Sequence, residues 1–427
     1  MILTSKVPAN ISSAERLREY LALVRDLSTQ TSPHELLMAY RRRSQFVVPH
    51  DRIVSLSRRG LSGNRIRITR SDLWKGDINP WAAPERLPIV EKGILPQLLH
   101  GGRSIKVDQL EFDPDDPIAP YAKGMHSLIA SPIFHGGQAT HMVILMREAP
   151  ASFSLDELST LVLTSNLIGQ ATSQTLLAEQ LAEAYDALDR EFSAVGEIQR
   201  ALLPRELPKI PGITIAVHYE TCTRAGGDYY DFFPLEDDRL GILIADVSGH
   251  GPAAAVVMAM MHAVLHTREE HAGHPLRVMQ MLNHRLCRSV RPGQFATAFY
   301  GILDPHERSL RYTLAGHDPP RLLHRGHRLS SLELTEGLPL GVLEKFDGSE
   351  ATQELEAGDR LLLFTDGITE SFGPTGEMFG MHRIDTALRR CQATPAGMIE
   401  CIRADLLSHS GAGAPSDDRT LVAIAVD

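Results

Sequence analysis

The sequence predicts an α+β protein in which a strand-rich C-terminal domain is joined by a long helix to a smaller N-terminal α+β domain. Short apolar runs with strand character alternate with longer helical segments in both halves of the chain. Between the halves, apolar residues recur at heptad spacing, which is typical of a coiled coil. At 427 residues the chain exceeds one ordinary domain. We expect domains at residues 1–170 and 205–427, with a linker helix at 171–204.

The composition excludes several classes of protein. Apolar residues make up 43% and charged residues 22% of the chain, as in globular proteins. The net charge of −10 argues against nucleic-acid binding, because such proteins need a basic surface. The longest apolar run, Pro252 to Leu265, is too short to span a membrane and contains His262. Because the N-terminus has no signal-peptide pattern, we expect a cytoplasmic protein without nucleic-acid or membrane partners. The four cysteines form no Cys-x-x-Cys pair, which indicates neither a zinc ribbon nor a disulfide framework.

The N-terminal region opens with a helical pattern and continues with strands. Apolar residues at spacings of three and four predict a first helix; they are Leu17, Leu21, Val24 and Leu27. Three strand-like runs follow: Arg52–Leu56, Ser127–Phe134 and His141–Met146. A new helix is expected after Pro150, with Asp156 in its first turn, where a carboxylate suits the helix dipole. Strands flanked by helices favour a small α+β domain.

A connecting helix is predicted between about Leu177 and Leu203. Its apolar residues alternate at spacings of four and three; they are Leu177, Leu181, Ala184, Leu188, Val195, Ile198 and Leu202. Glu191 is the one charged residue on this seam. The pattern favours a homodimer through a coiled coil at residues 177–203, and the alternative is an amphipathic helix that packs on its own domain. Pro204 ends the helix.

The C-terminal region is rich in strands. The predicted strands are Ile213–Tyr219, Leu240–Val247, Thr297–Leu303, Leu310–Ala315, Arg360–Phe364 and Leu421–Val426. The predicted helices are Ala253–His266, Pro275–Ser289 and a stretch from Arg383 to about Leu407. Short polar turns between neighbouring strands favour antiparallel pairing. We therefore expect a layered α+β domain with two sheets.

Four aspartates of this region share one setting, in which a strand ends and an aspartate stands in or beside the following turn. They are Asp228, Asp246, Asp366 and Asp417. A carboxylate beside an apolar strand is costly to bury unless something compensates it, and several such groups repel one another unless cations lie between them. Hard divalent cations prefer oxygen ligands of this kind. A single Asp-Gly pair is usually only a turn, but four such sites in one domain favour a metal site.

The strings around these aspartates resemble a known family. They are Gly226-Gly227-Asp228-Tyr229-Tyr230-Asp231, Asp246-Val247-Ser248-Gly249-His250-Gly251, Ala315-Gly316-His317-Asp318-Pro319-Pro320, Thr365-Asp366-Gly367 and Asp417-Asp418-Arg419-Thr420-Leu421. In this order they are similar to the signature blocks of bacterial PPM-type serine/threonine phosphatases, the sporulation-protein-E and sigma-regulator class. The lead-in from Ile198 to Pro204 resembles that class as well. The resemblance covers about residues 190–427.

The resemblance implies a sandwich of two antiparallel sheets flanked by helices, and a metal site for two Mn²⁺ or Mg²⁺ ions. The ligands carried over are the side chains of Asp228, Asp246, Asp366 and Asp417, with the backbone carbonyl of Val247. Asp418 is the alternative to Asp417 as the last ligand. Asp231 is a weaker candidate for an outer position around the metals.

The implied reaction is hydrolysis of phosphoserine or phosphothreonine in a partner protein, by water activated between two metal ions. By resemblance the expected partner is a phosphorylated anti-anti-sigma factor in signal transduction and stress response. Arg224 is either a phosphate contact or a solvated arginine, His250 receives no acid role, and His317 is expected to be structural. The alternative function is an inactive scaffold of the same fold. A nucleotide cyclase is disfavoured, because the Gly-Gly-Asp string lacks the acidic hairpin partner that cyclase signatures need. A kinase and an ATPase are disfavoured, because the sequence contains no P-loop.

The N-terminal region resembles a GAF domain in length, in strand and helix order and in its position before a coiled coil, with a PAS-like fold as the alternative. The resemblance implies a sensory or dimerisation module, and a small ligand and a ligand-free module are both compatible with it. We hypothesise that this domain changes the register or rotation of the helix at Leu177–Leu203. Such a motion would reposition the helix at Pro252–His266 and so complete or disrupt the metal site.

Overall fold

The computed structural model describes residues 13–76, 78–267, 271–291, 293–326, 328–332, 337–391, 394–411 and 413–427. The first twelve residues, in which the sequence predicts no signal peptide, lie outside these ranges. The chain forms two compact units, Met1–Tyr185 and Asp186–Asp427. Among the described residues, no helix combines the length and the apolar character that a bilayer crossing requires.

In its described residues the first unit contains a six-stranded antiparallel sheet, five α-helices and a 3-10 helix. Its elements are α1 (Ser13–Ser28), α2 (Pro33–Val47), β1 (Arg52–Ser57), β2 (Ile66–Ser71), a 3-10 helix (Pro84–Arg86), β3 (Ile89–Val90), α3 (Ile94–Gly101), β4 (Ile105–Val107), α4 (Ala119–Ala122), β5 (Ser127–His135), β6 (Gln138–Arg147) and the first part of α5 (Leu155–Leu202). The strand order is β3-β2-β1-β6-β5-β4. The three predicted strands lie within β1, β5 and β6.

Apolar residues cover both faces of this sheet, because successive side chains of a strand point to opposite faces. On one face, Ile66 and Ile68 of β2 pack with Leu95 and Leu99 of α3. On the other face, residues of β1, β5 and β6 pack against α1, α2 and α5; among them are Ile53, Ile129, Val143, Leu23, Leu36 and Ile168. The sheet is therefore a central layer with helices on both sides.

The first helix forms as predicted, but it buries a different face. Leu17 and Leu21 are 59% and 62% exposed, whereas Leu23 and Leu27 are buried in the core with α2. The predicted set of apolar residues and the buried set both fit helical spacing on this short helix, and Leu27 is the residue they share. Spacing alone did not show which set meets the sheet.

The connecting helix is longer than predicted, because α5 runs without a break from Leu155 to Leu202. It begins with a capping box, in which the Glu157 N–H donates to Ser154 Oγ at 3.1 Å and the Ser154 N–H donates to Glu157 Oε2 at 2.8 Å. The expected linker boundary at residue 171 is therefore not a structural break. The apolar seam divides in two, since Leu181 is 57% exposed, while Leu202 packs against the core of the second unit.

The part of the second unit that the structure describes contains two five-stranded antiparallel sheets. Its further elements are β7 (Ile213–Glu220), β8 (Tyr229–Pro234), β9 (Leu240–Val247), α6 (Pro252–Thr267), α7 (Pro275–Ser289), β10 (Ala296–Asp304), β11 (Ser309–Ala315), β12 (Arg321–Leu323), β13 (Leu329–Ser331), β14 (Ala351–Glu354), β15 (Arg360–Phe364), α8 (Asp366–Thr369), α9 (Gly380–Arg390), α10 (Pro395–Ser410) and β16 (Arg419–Val426). The first sheet has the order β14-β11-β10-β9-β8, and the second has the order β13-β12-β15-β16-β7.

The two sheets pack face to face and helices cover their outer faces, as the sandwich prediction requires. Leu361 and Leu363 of β15 point into the core shared with the first sheet, which also contains α6 and α7. Leu362 and Phe364 point the other way, into a second core with α9 and α10. Because successive side chains of β15 point to opposite faces, the second sheet lies between the first sheet and the helices α9 and α10.

Two predictions for the C-terminal helices and cysteines were wrong. The helix expected from Arg383 to about Leu407 is two helices, because α9 ends at Arg390 and α10 starts at Pro395, a residue that fits the first turn of a helix but not its interior. The Sγ atoms of Cys391 and Cys401 form a disulfide between the end of α9 and α10. Sequence spacing gave no sign of it, since the turn between the helices brings the two residues together.

Candidate metal centre

The four predicted aspartates come from both sheets of the sandwich. Asp228 precedes β8, and Asp246 lies near the end of β9, opposite Thr297 of β10. Asp366 follows β15 as the first residue of α8, and Asp417 stands two residues before β16. The strands of each pair are neighbours in their sheet. The ends of adjacent strands therefore carry these carboxylates to one edge of the domain.

Asp228 is the most deeply placed of the four. Its side chain is buried, and its Oδ2 accepts hydrogen bonds from Thr365 Oγ1 at 2.7 Å and from Thr420 Oγ1 at 2.6 Å. Thr365 directly precedes Asp366, and Thr420 is the second residue of β16. The two hydroxyls tie the first sheet's aspartate to the strand ends of the second sheet. Burial, followed by the charges of Asp246 and Asp418, raises the pKa of Asp228.

Mutual repulsion shows that the other carboxylates share the same site. Burial and the charges of Asp366 and Asp417 raise the pKa of Asp246 to about 8. Burial and the charge of Asp417 also raise the pKa of Asp366, to about 6. The neighbouring charges named in both cases are negative. The structure thus brings the four predicted aspartates together in a partly buried, strongly acidic cluster.

The Asp417-Asp418 pair divides its contacts. The Asp418 carboxylate accepts the Cys222 N–H at 2.8 Å on Oδ1 and the Gly227 N–H at 2.5 Å on Oδ2. The Oδ1 of Asp417 accepts the Asp418 N–H at 2.8 Å, and its charge acts on Asp246 and Asp366. Asp418 thus fastens two loops together, and its charge also acts on Asp228 and Asp246, whereas the charge of Asp417 acts on Asp246 and Asp366.

The glycines of the site make space for neighbouring loops. A Cβ on Gly226 would lie 2.3 Å from Oδ2 of Asp418, and one on Gly367 would lie 1.9 Å from the carbonyl oxygen of Asp418. Neither glycine has a positive φ, so the requirement is room and not an unusual backbone conformation. An unusual backbone conformation is required instead at Gly249, whose φ is 84°.

Val247 and Asp231, the two further candidates, lie in different surroundings. The carbonyl oxygen of Val247 faces the loop of Asp228, since a Cβ on Gly227 would lie 2.6 Å from it. Asp231 lies within β8, on the face of Tyr229 and opposite to that of Tyr230. Its carboxylate is bonded to the Tyr229 hydroxyl, to the Phe232 N–H at 2.8 Å and to His266 Nε2 at 2.8 Å. These contacts direct Asp231 toward α6.

Three residues near the cluster were not selected from the sequence. The carboxylates of Asp318 and Glu370 contribute to the raised pKa of Asp366. The Cys222 Sγ lies within 4.8 Å of carboxylate oxygens of Asp417 and Asp418. Burial and the charge of Asp418 raise the pKa of this thiol to about 12, so it stays protonated at neutral pH. Only Asp318 stood in a recognisable string, directly after His317.

The remaining candidates have structural contacts. Arg224 forms a bidentate ion pair with Asp189 of α5, with N–O distances of 2.9 and 3.0 Å, and its side chain is 61% exposed, as the solvated alternative requires. His317 is buried, its pKa is lowered to about 4 by burial, and its Nδ1 lies 2.8 Å from Thr297 Oγ1. His250 is exposed in the turn after β9.

The end of α5 is bonded directly to the loop that carries Asp228. The Gln199 side chain donates from Nε2 to the Gly226 carbonyl and accepts the Gly226 N–H on Oε1, both at 2.8 Å. Its Nε2 also donates to the Tyr219 hydroxyl at 2.9 Å. Gly196, one turn earlier, allows close contact, since a Cβ there would lie 1.8 Å from the Arg224 carbonyl oxygen.

The chemistry of the cluster fits hard divalent cations. Its donors are carboxylate oxygens and a backbone carbonyl, which Mg²⁺ and Mn²⁺ prefer over softer ligands. The raised pKa values of Asp246 and Asp366 show that the carboxylates are unfavourable neighbours when they stand alone. Positive charge among them would remove this repulsion.

Comparisons with known proteins agree with this reading of the domain. Residues 236–427 match the family described as Stage II sporulation protein E (SpoIIE). The chain is 31% identical over 181 residues to the phosphoserine phosphatase RsbU of Bacillus subtilis, covering 42% of this chain and 53% of that protein. It is 27% identical over 281 residues to protein IcfG of Synechocystis, covering 59% of this chain and 43% of that protein. The chain thus spans about half the length of these relatives.

A solved structure shows the same fold. The SiaA-PP2C domain of Pseudomonas aeruginosa superimposes with a TM-score of 0.52 at 22% identity, covering 58% of this chain and all of that one. The match agrees with the sandwich of two antiparallel sheets and its outer helices. Residues 236–427 thus resemble the SpoIIE family, and the C-terminal unit has the fold of the SiaA-PP2C domain.

Proposed function

We propose that the C-terminal domain is a metal-dependent phosphatase that removes phosphate from phosphoserine or phosphothreonine in a partner protein. The observation that carries this proposal is the convergence of Asp228, Asp246, Asp366 and Asp417 from two sheets on one partly buried site. Repulsion among these four carboxylates does not stabilise the fold, whereas the same arrangement is suited to binding cations.

We assign the ligand roles to those four side chains and to the Val247 carbonyl. Two Mg²⁺ or Mn²⁺ ions, when bound, would supply an activated water and positive charge for the phosphoryl oxygens. Asp228 is held by the hydroxyls of Thr365 and Thr420, so its position is fixed before any ion arrives. The contacts of Asp417 and Asp418 support Asp417 as the last ligand, because both oxygens of Asp418 already accept backbone N–H groups.

The proposed substrate is a phosphorylated anti-anti-sigma factor, which places the enzyme in cytoplasmic stress signalling. The family resemblance of the sequence and the name of the relative RsbU, a phosphoserine phosphatase, support this choice. The alternative is an inactive scaffold. The presence of all four aspartates in one cluster favours an active enzyme.

Hydrolysis of p-nitrophenyl phosphate by the full chain with Mn²⁺ tests the activity. We expect turnover with Mn²⁺, none with excess chelator, and none in the variants Asp246→Ala and Asp366→Ala. Asp347→Ala is the matched control, because Asp347 is exposed and paired only with Lys345 among the described residues. Activity that survives chelation would contradict the two-metal mechanism. Activity that is absent with both Mn²⁺ and Mg²⁺ would favour the inactive scaffold.

We further propose that α5 controls the site. The bonds of Gln199 to Gly226 support a route to the Asp228 loop itself, in place of the route through α6 that the sequence had suggested. A GAF-like N-terminal domain would then act by shifting this helix, with dimerisation through its exposed seam. Deleting residues 1–170 should change the rate of p-nitrophenyl phosphate turnover, and unchanged kinetics would refute control by this domain.

A further inference from the structure

The N-terminal unit contains a cavity of about 500 Å³ between its sheet and the helices α2 and α5. Strand alternation determines what lines it. Ile66 and Ile68 of β2 face the core with α3, so Arg67 and Thr69 face the opposite side and line the cavity. Ser55 and Ser57 of β1 share that side. A polar patch of sheet thus lies under the two helices, where packing alone would favour apolar residues.

The titratable residues of the lining are basic apart from Tyr40. Three arginines and two histidines line the cavity, and no aspartate or glutamate is among the described residues around it; the five are Arg59, Arg67, Arg70, His135 and His141. Burial, with the positive charges of Arg59 and His135, lowers the pKa of His141 to about 4. The Nε of Arg67 is buried and has no hydrogen-bond partner in the protein. A buried guanidinium N–H without an acceptor is unfavourable, and an anion in the cavity would satisfy it.

The remaining lining is apolar and aromatic. Tyr40 of α2, Trp81 and Ile133 contribute rings and methyl groups, and Ile168 and Leu176 of α5 contribute aliphatic side chains. A volume of about 500 Å³ lies within the usual range for small-molecule sites. The cavity therefore combines an apolar wall with one cationic side.

We propose that this cavity binds an amphipathic small molecule whose carboxylate is held by Arg67 and whose apolar body packs against Tyr40, Trp81 and α5. The carboxylate supplies the hydrogen-bond acceptor that Arg67 Nε lacks. An anionic group is favoured there because arginine side chains line the same side of the cavity. The apolar body replaces the side-chain packing that the sheet lacks on this face.

Occupancy would act on α5 itself, which is a step that rests on the proposed function. Gly169, Thr172 and Ser173 of α5 line the cavity. Gly169 is already in close contact with the sheet, since a Cβ there would lie 2.2 Å from Ile133 Cγ2. A ligand beside this contact changes the packing of the same helix that reaches Gln199.

Calorimetric titration of the full chain tests binding without any need for phosphatase activity. The probes are decanoate and 2-naphthoate, with the uncharged 2-naphthalenemethanol as the matched neutral compound. We expect saturable binding at one site per chain for at least one acid, and binding about ten-fold weaker or less for the alcohol. Arg67→Met should weaken binding of the acid by about ten- to a hundred-fold. The control Arg65→Met, at a partly exposed arginine outside the cavity, should leave it unchanged.

Several results would overturn the proposal. They are the absence of saturable binding for both acids, equal affinity for the acid and the alcohol, and equal loss in Arg67→Met and Arg65→Met. If Arg67→Met does not fold, Thr172→Phe, which fills the cavity from α5, must abolish binding. A halved molar mass of Arg67→Met, with no acid binding by the parent chain, would mean that a second copy of the chain fills the cavity. Phosphatase activity in these experiments bears only on the proposed function.

Discussion

Gln199 and Gly226 exchange two hydrogen bonds, so that one side-chain amide pairs with both polar groups of a backbone residue. The pairing is buried, and Gly226 stands two residues before Asp228. The final turn of α5 therefore provides hydrogen bonds to the loop that carries Asp228, in the way that a neighbouring strand would. A change in the position of this helix would break both bonds together.

Replacing Gln199 by leucine should impair the metal site more than the fold. The variant leaves the Gly226 N–H and carbonyl buried without partners, at about 1–3 kcal/mol for each group. We expect the Mn²⁺ concentration for half-maximal p-nitrophenyl phosphate turnover to rise about ten-fold or more. Glu197→Leu, at an exposed position on the same helix, is the control and should behave like the parent. An unchanged Mn²⁺ dependence in Gln199→Leu would show that the contact only holds the helix in place.

The carboxylate cluster predicts an unusual pH dependence for the metal-free protein. The folded-state pKa of Asp246 is raised to about 8, well above the value of about 3.9 in an unfolded chain. The folded protein therefore binds more protons than the unfolded one between these values, and the free energy of unfolding falls as pH rises from about 4 to about 8. Asp366, with a pKa of about 6, adds to the same trend.

Thermal unfolding with chelator measures this effect. Asp246→Asn removes the repelled charge, so at pH 8 the metal-free variant should unfold at a temperature at least about 2–4 °C above the parent, which corresponds to about 1 kcal/mol. The difference should vanish below about pH 3, where Asp246 is protonated in both states. With saturating Mn²⁺ the order should reverse, because only the parent keeps the ligand. A parent curve that is flat from pH 4 to 8 relative to the variant would contradict the acidic cluster.

Gly367→Ala should abolish activity through sterics alone. The added methyl group would lie 1.9 Å from the Asp418 carbonyl oxygen, so the Asp417-Asp418 loop must move away from Asp366. We expect p-nitrophenyl phosphate turnover to fall by about a hundred-fold or more, since ångström-scale misplacement of catalytic groups costs rates of that order. Gly413→Ala is the matched control, because a Cβ there meets nothing within 4 Å and the same loop is otherwise unchanged. Equal activity of the two variants would show that the loop tolerates displacement.

Local patterns predicted the strands that are buried on both sides and the aspartates that follow them. The bounds of β9 and β15 agree with the sequence, because each is built on a run of apolar residues, Leu240–Ala245 in β9 and Leu361–Phe364 in β15. β2 was missed, since its arginines look like solvated residues until a cavity is known to lie beside them. The face of α1 was wrong for a similar reason, as both of its apolar sets satisfy helical spacing.

The candidate ligands could be selected from the sequence, but the residues that support them could not. Each aspartate stands in a distinct string of residues that is recognisable from the sequence. Gln199 and Cys222 carry no such mark, because their roles depend on contacts with residues far along the chain. The closeness of Asp318 to Asp366 is a long-range contact of the same kind. Polar residues at such positions cannot be told from solvated ones by spacing.

The exposed seam of α5 predicts a dimer. Leu177, Leu181 and Leu188 are 60%, 57% and 46% exposed, although each stands at a heptad position typical of a buried interface. Exposed leucines in such a row are unfavourable, and a second copy of the helix would cover them. We expect the chain to have about twice its monomer mass of 47.1 kDa in light scattering after size exclusion.

Leu181→Lys should convert this dimer to a monomer, because the substitution places two lysines side by side in the seam. Glu183→Lys, at an exposed position off the seam, keeps the same new side chain and should remain dimeric. If the dimer also controls α5, the monomeric variant will show a changed turnover rate as well as a halved mass. A parent chain that already runs at 47.1 kDa would contradict the coiled coil and favour an α5 that stays unpaired in solution.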